Sequence, residues 1–193
     1  MTAGAVLCGG QSRRMGTDKA LVEVEGVAMV ERVAEALESA GCHPVVLVGG
    51  DVALLERFGR PTVADEWPGE GPLGGVLTAL RAVGSEGVVV AACDLPSLDA
   101  ATVRAVFEAG VVAESSIDVA VARTGRLEPA LAWWSSGSLR PLTDVWKGGV
   151  RAIHEAIGRL SAVFVDVDDV PLHNVNTVAD LAATPPPAGS RDG

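Results

Sequence analysis

The sequence contains no tyrosine and only three phenylalanines in 193 residues. Its interior must therefore be mainly aliphatic, built from Ala, Val and Leu. Cysteine is scarce: Cys8, Cys42 and Cys93 form no CxxC pair and no ligand spacing with the three histidines. That pattern excludes a disulfide scaffold and a Cys/His zinc module, and points to a reducing, cytoplasmic setting. No charged n-region or cleavage site precedes the first apolar run, so no secretory signal is expected. No apolar stretch approaches the roughly 18 residues of a membrane span. Basic residues are few, with 15 Lys+Arg against 25 Asp+Glu and a net charge of −10. Such a balance argues against nucleic acid or an anionic membrane as general partner.

What is present describes a globular chain, 48% hydrophobic and 21% charged. At this length one domain buries roughly two-thirds of its unfolded surface without a covalent or metal staple. We expect a single domain over residues 1–184. The Pro/Gly/Ser-rich stretch 185–193 is expected to be a disordered tail.

Short β-branched runs alternate with helical patterns. Strands are predicted at 5–8, 45–48, 61–64 and 87–93. Helices are predicted at 29–40, from Asp51 to Phe58, at 72–83 between Pro72 and Gly84, and from Asp99 to 109. The second half predicts strands at 118–122, 127–134 and 162–167, helices at 139–146 and 150–160, and a short helix capped by Thr177. In the helix at 29–40 the charges Glu31, Arg32, Glu35 and Glu38 fall largely opposite the apolar stripe. Alternating strands and helices imply right-handed βαβ units and a mostly parallel sheet covered on both faces. Ligands bind such sheets beyond the carboxyl ends of the strands. The loops at 9–19, 49–51, 65–75 and 94–96 should therefore converge on one crevice.

The first of these loops carries the strongest chemical signal. Gly9, Gly10 and Gly16 permit tight turns and close backbone approach, so consecutive N–H groups can form an anion nest. Arg13, Arg14 and Lys19 add three cations within seven residues, opposed only by Asp18. A triphosphate needs this combination of fixed amides and neutralising charge. The loop is not a Walker A motif, because Lys19 precedes Ala20, and it lacks the GxGxxG spacing.

The run LCGGQSRRMGTDKAL resembles the signature LxGGxSxRMGxDKxL of the molybdenum cofactor guanylyltransferase (MobA) family of nucleotidyltransferases. The likeness continues through Asp65, Gly71-Pro72-Leu73-Gly74-Gly75, Cys93-Asp94-Leu95-Pro96 and Asn174-Val175-Asn176-Thr177, in the same order. The first motif marks the wider superfamily, whereas the closing NVNT is more characteristic of the molybdenum branch. Cys8 stands where the family often has Ala, and the loop is of a shorter variant.

The resemblance implies a Rossmann-like three-layer α/β/α sandwich of the nucleotide-diphospho-sugar transferase type. It also implies a reaction: GMP passes from GTP to the terminal phosphate of Mo-molybdopterin, and diphosphate is released. Arg14, Lys19 and Asp94 are then the catalytic candidates. Leu7, Cys8, Gly9, Gly10, Lys19, Asp65, Gly74, Asp94, Asn174 and Asn176 are the nucleotide- and ligand-binding candidates. Asp94, directly after an apolar strand, is the candidate Mg²⁺ ligand, since that ion is satisfied by one or two carboxylates plus phosphates and water. Asp65 reads as a turn carboxylate or as a guanine acceptor, and Asn174 and Asn176 as capping amides or as a border of the site.

Arg123, Arg126, Arg140, Lys147 and Arg151 form either a solvated face or an acceptor-phosphate region, with 147–151 as the candidate loop. Trp133, Trp134 and Trp146 suit core packing better than pterin stacking, and His154 and His173 suit surface or packing roles. Partners are expected to be the two substrates, with transient contact to molybdopterin-handling proteins or apo-molybdoenzymes, and neither nucleic acid nor membrane. Three alternatives stay open: a cytidylyltransferase of the same cofactor, a nucleotidyltransferase for another phosphorylated acceptor, and a non-catalytic cofactor-carrying or regulatory module.

Overall fold

Residues 1–9, 19–113, 116–176 and 180 are described by the computed structural model. Strand β1 spans Thr2–Leu7, and a small hairpin pairs β2 (Glu23–Val24) with β3 (Val27–Ala28). Helix α1 follows at Met29–Ser39, then β4 at Val45–Val48, α2 at Val52–Leu55 and β5 at Thr62–Val63. Next come α3 (Pro72–Val83), β6 (Gly87–Ala92) and α4 (Ala100–Ala113). The second half holds β7 (Val119–Arg123), β8 (Leu127–Ser135), α5 (Leu139–Lys147), α6 (Ile153–Ile157) and β9 (Ala162–Asp166).

The main sheet has seven strands in the order β5-β4-β1-β6-β8-β7-β9. Only β8 runs against its neighbours β6 and β7; the other pairs are parallel. Alternate strand residues enter opposite layers, because successive side chains in a strand point to opposite faces. Val6, Leu47, Val89, Ala91 and Trp133 pack with α1 and α4, whereas Ala5, Leu7, Val46, Val90 and Trp134 pack with α3, α5 and α6. Strands buried on both faces explain the continuous apolar runs in β4 and β6. The expected three-layer α/β/α sandwich with a mostly parallel sheet is the fold observed.

Local chemistry sets the element ends. Pro72 opens α3 and Gly84, at φ 55°, closes it. Asp51 caps α2 by accepting the Leu54 N–H, and Asp99 accepts the Thr102 N–H at 2.7 Å. The four tryptophans carry much of the aromatic packing. Trp133 and Trp134 are core residues on opposite faces of β8, each 1% exposed. The Trp133 indole lies against Gly87 and Gly110, where any Cβ would come within 2.5 and 2.2 Å of its ring. That contact accounts for a glycine inside α4.

Three expectations change. The helix predicted at 150–160 is only Ile153–Ile157. Residues before it cross the start of α3, where the Leu73 N–H donates to the Arg151 carbonyl, and Ala152 is extended. Helix α4 runs four residues beyond the predicted end at 109, to Ala113. Arg32 is not on a solvated face. Its Nε donates to the Pro96 carbonyl (2.9 Å) and its Nη1 to the Val24 carbonyl (3.0 Å), tying α1 to the hairpin and to the loop after β6. The Thr177 cap and the tail at 185–193 lie outside the described residues.

Candidate functional site

The carboxyl ends of β1, β4, β5 and β6 deliver the candidate residues to one edge of the sheet. Backbone bonds hold these ends together. The Cys8 N–H donates to the Val48 carbonyl, the Cys93 N–H to the Leu7 carbonyl and the Gly49 N–H to the Val63 carbonyl. Leu7 and Cys8 are buried supports, whereas Gly9 is exposed at the mouth. Gly10 and Arg14 lie outside the described residues.

Gly49 has φ 78°, a conformation that suits glycine. A Cβ there would lie 3.2 Å from the Gly9 nitrogen and 3.6 Å from the Asp65 Cβ. Gly9, Gly49 and Asp65 therefore meet at one point, although they are far apart in the chain. Gly49 was not singled out by sequence beyond its place in a convergent loop.

Lys19, in a 3₁₀ turn at Lys19–Leu21, donates to Asp94 Oδ2 at 2.7 Å and to Asn176 Oδ1 at 2.7 Å. The lysine and carboxylate side chains are 14% and 21% exposed, so the pair is partly shielded from water. Asp94 Oδ1 is buried and has no hydrogen-bond partner among the described residues. A buried carboxylate oxygen of this kind calls for a partner beyond the described residues. The Val175 N–H donates to the Asp94 carbonyl at 2.9 Å, and Val175, fully buried, packs with Val24 and Met29. Asn174 is half-buried and Asn176 exposed on either side of it. This anchoring brings Asn176 to the lysine across 157 positions.

Asp65 stands just beyond β5. Its Oδ1 accepts the Trp67 N–H (3.0 Å) and lies 3.3 Å from Thr78 Oγ1, while Oδ2 is directed toward Gly9. Gly74 is buried. A Cβ on it would meet the Trp67 Cβ at 3.2 Å and the Trp146 ring at 3.3 Å, so the glycine lets both residues approach α3 closely. Those rings lie 5.1 Å apart at a tilt of 47°, with Arg81 over Trp67 and Arg151 over Trp146.

The basic residues of the second half are mostly engaged. Arg123 binds Asp166 through two bonds of 2.6 and 2.9 Å, which hold the Asp166 carboxyl below its ordinary range. Arg126 pairs with Glu128 at 2.7 Å. Arg151 turns inward, donating to the carbonyls of Trp146 and Val150 and to Glu70 at 3.1 Å. Arg140 and Lys147 line, with Arg81, Thr143 and Asp144, an open groove of about 610 Å³ between α3 and α5. The loop 147–151 thus presents Lys147 but not Arg151. His154 and His173 are exposed. Among the described residues, no cluster of three or more His, Cys, Asp or Glu could hold a metal ion, and no helix is long and apolar enough to cross a membrane.

The arrangement can bind a polyphosphate at Gly9 and Lys19, beside a single carboxylate with a spare oxygen. Residues 4–156 match the family described as MobA-like NTP transferase domain. The chain is 32% identical over 192 residues to the probable molybdenum cofactor guanylyltransferase of Chloroflexus aggregans, covering 94% of this chain and 92% of that protein. It is 33% identical over 184 residues to the molybdenum cofactor guanylyltransferase of Cereibacter sphaeroides, covering 93% of each. Among solved structures it is similar to molybdopterin-guanine dinucleotide biosynthesis protein A of Archaeoglobus fulgidus. That likeness has a TM-score of 0.79 and 27% identity, over 95% of this chain and 96% of that one.

Proposed function

Because the chain belongs to the MobA-like NTP transferase family, we propose that it is a molybdenum cofactor guanylyltransferase. It transfers GMP from GTP to the terminal phosphate of Mo-molybdopterin and releases diphosphate. The observation that carries this reading is the Lys19 ammonium, 2.7 Å from both Asp94 and Asn176 at the mouth of the sheet. It joins the first and last motifs of the chain in one site.

The acceptor's phosphate oxygen attacks the α-phosphorus in line, and diphosphate leaves. The nucleophile is already anionic, so no strong base is required. Catalysis rests on positioning and on neutralising charge. The Gly9 and Gly10 amides hold the nucleotide. Lys19 and Arg14 offset charge on the α-phosphate and the leaving diphosphate. Asp65 accepts from the guanine edge, and Asn174 and Asn176 border the acceptor.

Mg²⁺ fits beside Asp94, whose buried Oδ1 lacks a partner among the described residues; when bound, it would supply Lewis-acid polarisation of phosphate oxygens. Its remaining ligands would be phosphate and water, in keeping with a single protein carboxylate. The buried Cys8, Cys42 and Cys93 support a reducing, cytoplasmic setting. Contacts with molybdopterin-handling proteins or apo-molybdoenzymes would be transient deliveries of product.

Diphosphate release, measured with each NTP in the presence and absence of molybdopterin, tests the reading. Release with GTP alone, dependent on acceptor, is expected. Release with CTP, or with a sugar phosphate as acceptor, replaces it with a different transferase.

A further inference from the structure

We infer that Thr78, a buried residue of α3, is a positioning residue for base selection: its hydroxyl sets the direction of the Asp65 carboxylate. The inference rests on the reading of Asp65 as the guanine acceptor.

Thr78 is 1% exposed and stands one helical turn after Gly74. Its Oγ1 is the centre of a small knot. It accepts the Glu66 N–H at 3.2 Å, and lies 3.0 Å from the Gly74 carbonyl and 3.3 Å from Asp65 Oδ1. A hydroxyl has one proton, so it donates to one of those two oxygens at a time. A carboxylate attracts that proton more strongly than a neutral carbonyl does. The helix carbonyl is the ordinary acceptor for a threonine inside a helix, so the nearby carboxylate is what sets Thr78 apart.

The Trp67 N–H bonds the same Oδ1 at 3.0 Å. Oδ1 is thereby tethered from two sides, and rotation about the Asp65 Cβ–Cγ bond is restrained. Oδ2 is left toward Gly9, the position from which a nucleotide would be met. With Oδ1 engaged, Oδ2 is the oxygen left to accept from the guanine N1–H, and it does so only when the carboxylate plane is aligned with that donor. The tether holds that plane before the ligand arrives, so less orientational freedom is lost on binding. A purine with an acceptor in place of the N1–H would meet the fixed Oδ2 with repulsion, which ATP represents.

Thr78→Val keeps the side-chain shape and removes the hydroxyl; Thr78→Ser keeps the hydroxyl. GTP and ATP binding would be measured by calorimetry without acceptor, and KM and kcat for GTP with acceptor, alongside thermal unfolding. Thr78→Val is expected to weaken GTP binding and raise KM by about tenfold, with kcat within about threefold of wild type. Its preference for GTP over ATP should narrow, and Thr78→Ser should restore both. Should Thr78→Val fail to fold, Thr78→Cys, of similar size with only a weak donor, carries the same comparison. Unchanged GTP affinity and selectivity in a folded variant overturn the assignment. Asp65→Asn separates the two layers. If it leaves GTP binding intact, the guanine reading fails as well; if it weakens binding while Thr78→Val does not, only the role of Thr78 fails.

Discussion

Lys19 and Asp94 are bound at 2.7 Å, from the loops that follow two neighbouring parallel strands of the sheet. The lysine belongs to the loop after β1 and the aspartate to the loop after β6. Their pairing registers one loop against the other. Replacing Lys19 with Ala leaves the Asp94 carboxylate without its ammonium and, on the proposed function, removes a cation from beside the reacting phosphates. Diphosphate release should fall by about two to three orders of magnitude in kcat, while circular dichroism shows the fold retained. Near-normal turnover would overturn the role of Lys19.

Gly49→Ala tests the close approach at the mouth. The φ of 78° is strained for alanine, and the added Cβ lies 3.2 Å from the Gly9 nitrogen. The backbone that presents the Gly9 amide must move by a fraction of an ångström. We expect KM for GTP to rise by about tenfold or more, with a modest loss of stability. Steady-state kinetics at varied GTP measure it.

Gly110→Ala tests the core alone. Its Cβ would fall 2.2 Å from the Trp133 ring, on the layer away from α3. Overpacking of this kind costs about 1–3 kcal/mol, and Tm should drop by several degrees. Trp133→Phe in the same chain relieves the overlap, so the two changes should be non-additive in thermal unfolding.

Burial pushes the Cys42 thiol up to about 12. An unfolded cysteine titrates near 8.5. The native state therefore keeps its proton where the unfolded chain loses it. Stability from this group is complete below about pH 8.5 and is lost as pH rises from there toward 12. Cys42→Ala should flatten the alkaline decline of the urea midpoint between pH 8 and 10. A decline of unchanged slope would assign it to other groups.

Legibility in the sequence followed punctuation and length. Helix α3 was predicted at its observed bounds because Pro72 and Gly84 mark both ends. Strand β4 was predicted at its observed bounds because Gly49 and Gly50 stop a four-residue apolar run. Asp94 was legible because it follows an apolar strand. The hairpin β2–β3 was not, since two-residue strands carry no period. Arg32 was read as solvated because helical spacing describes α1 by itself; the hairpin that covers the arginine is a tertiary event. Thr78 gave no signal, because a threonine within an apolar helical stripe reads as packing. Its significance lies in Asp65, thirteen positions earlier, being folded back onto the same helix.

The bond from the Val175 N–H to the Asp94 carbonyl also divides the site between two stretches of chain. All strands of the main sheet have been synthesised once residue 166 is made. The amide that meets Lys19 comes ten positions later, at Asn176. The sheet, and with it the mouth at Gly9 and Gly49, is therefore built wholly from residues that precede the segment closing the Lys19 side. The segment around Val175, seated between the hairpin and the end of β6, thus closes the Lys19 side of the candidate site from a part of the chain that contributes no strand to the sheet.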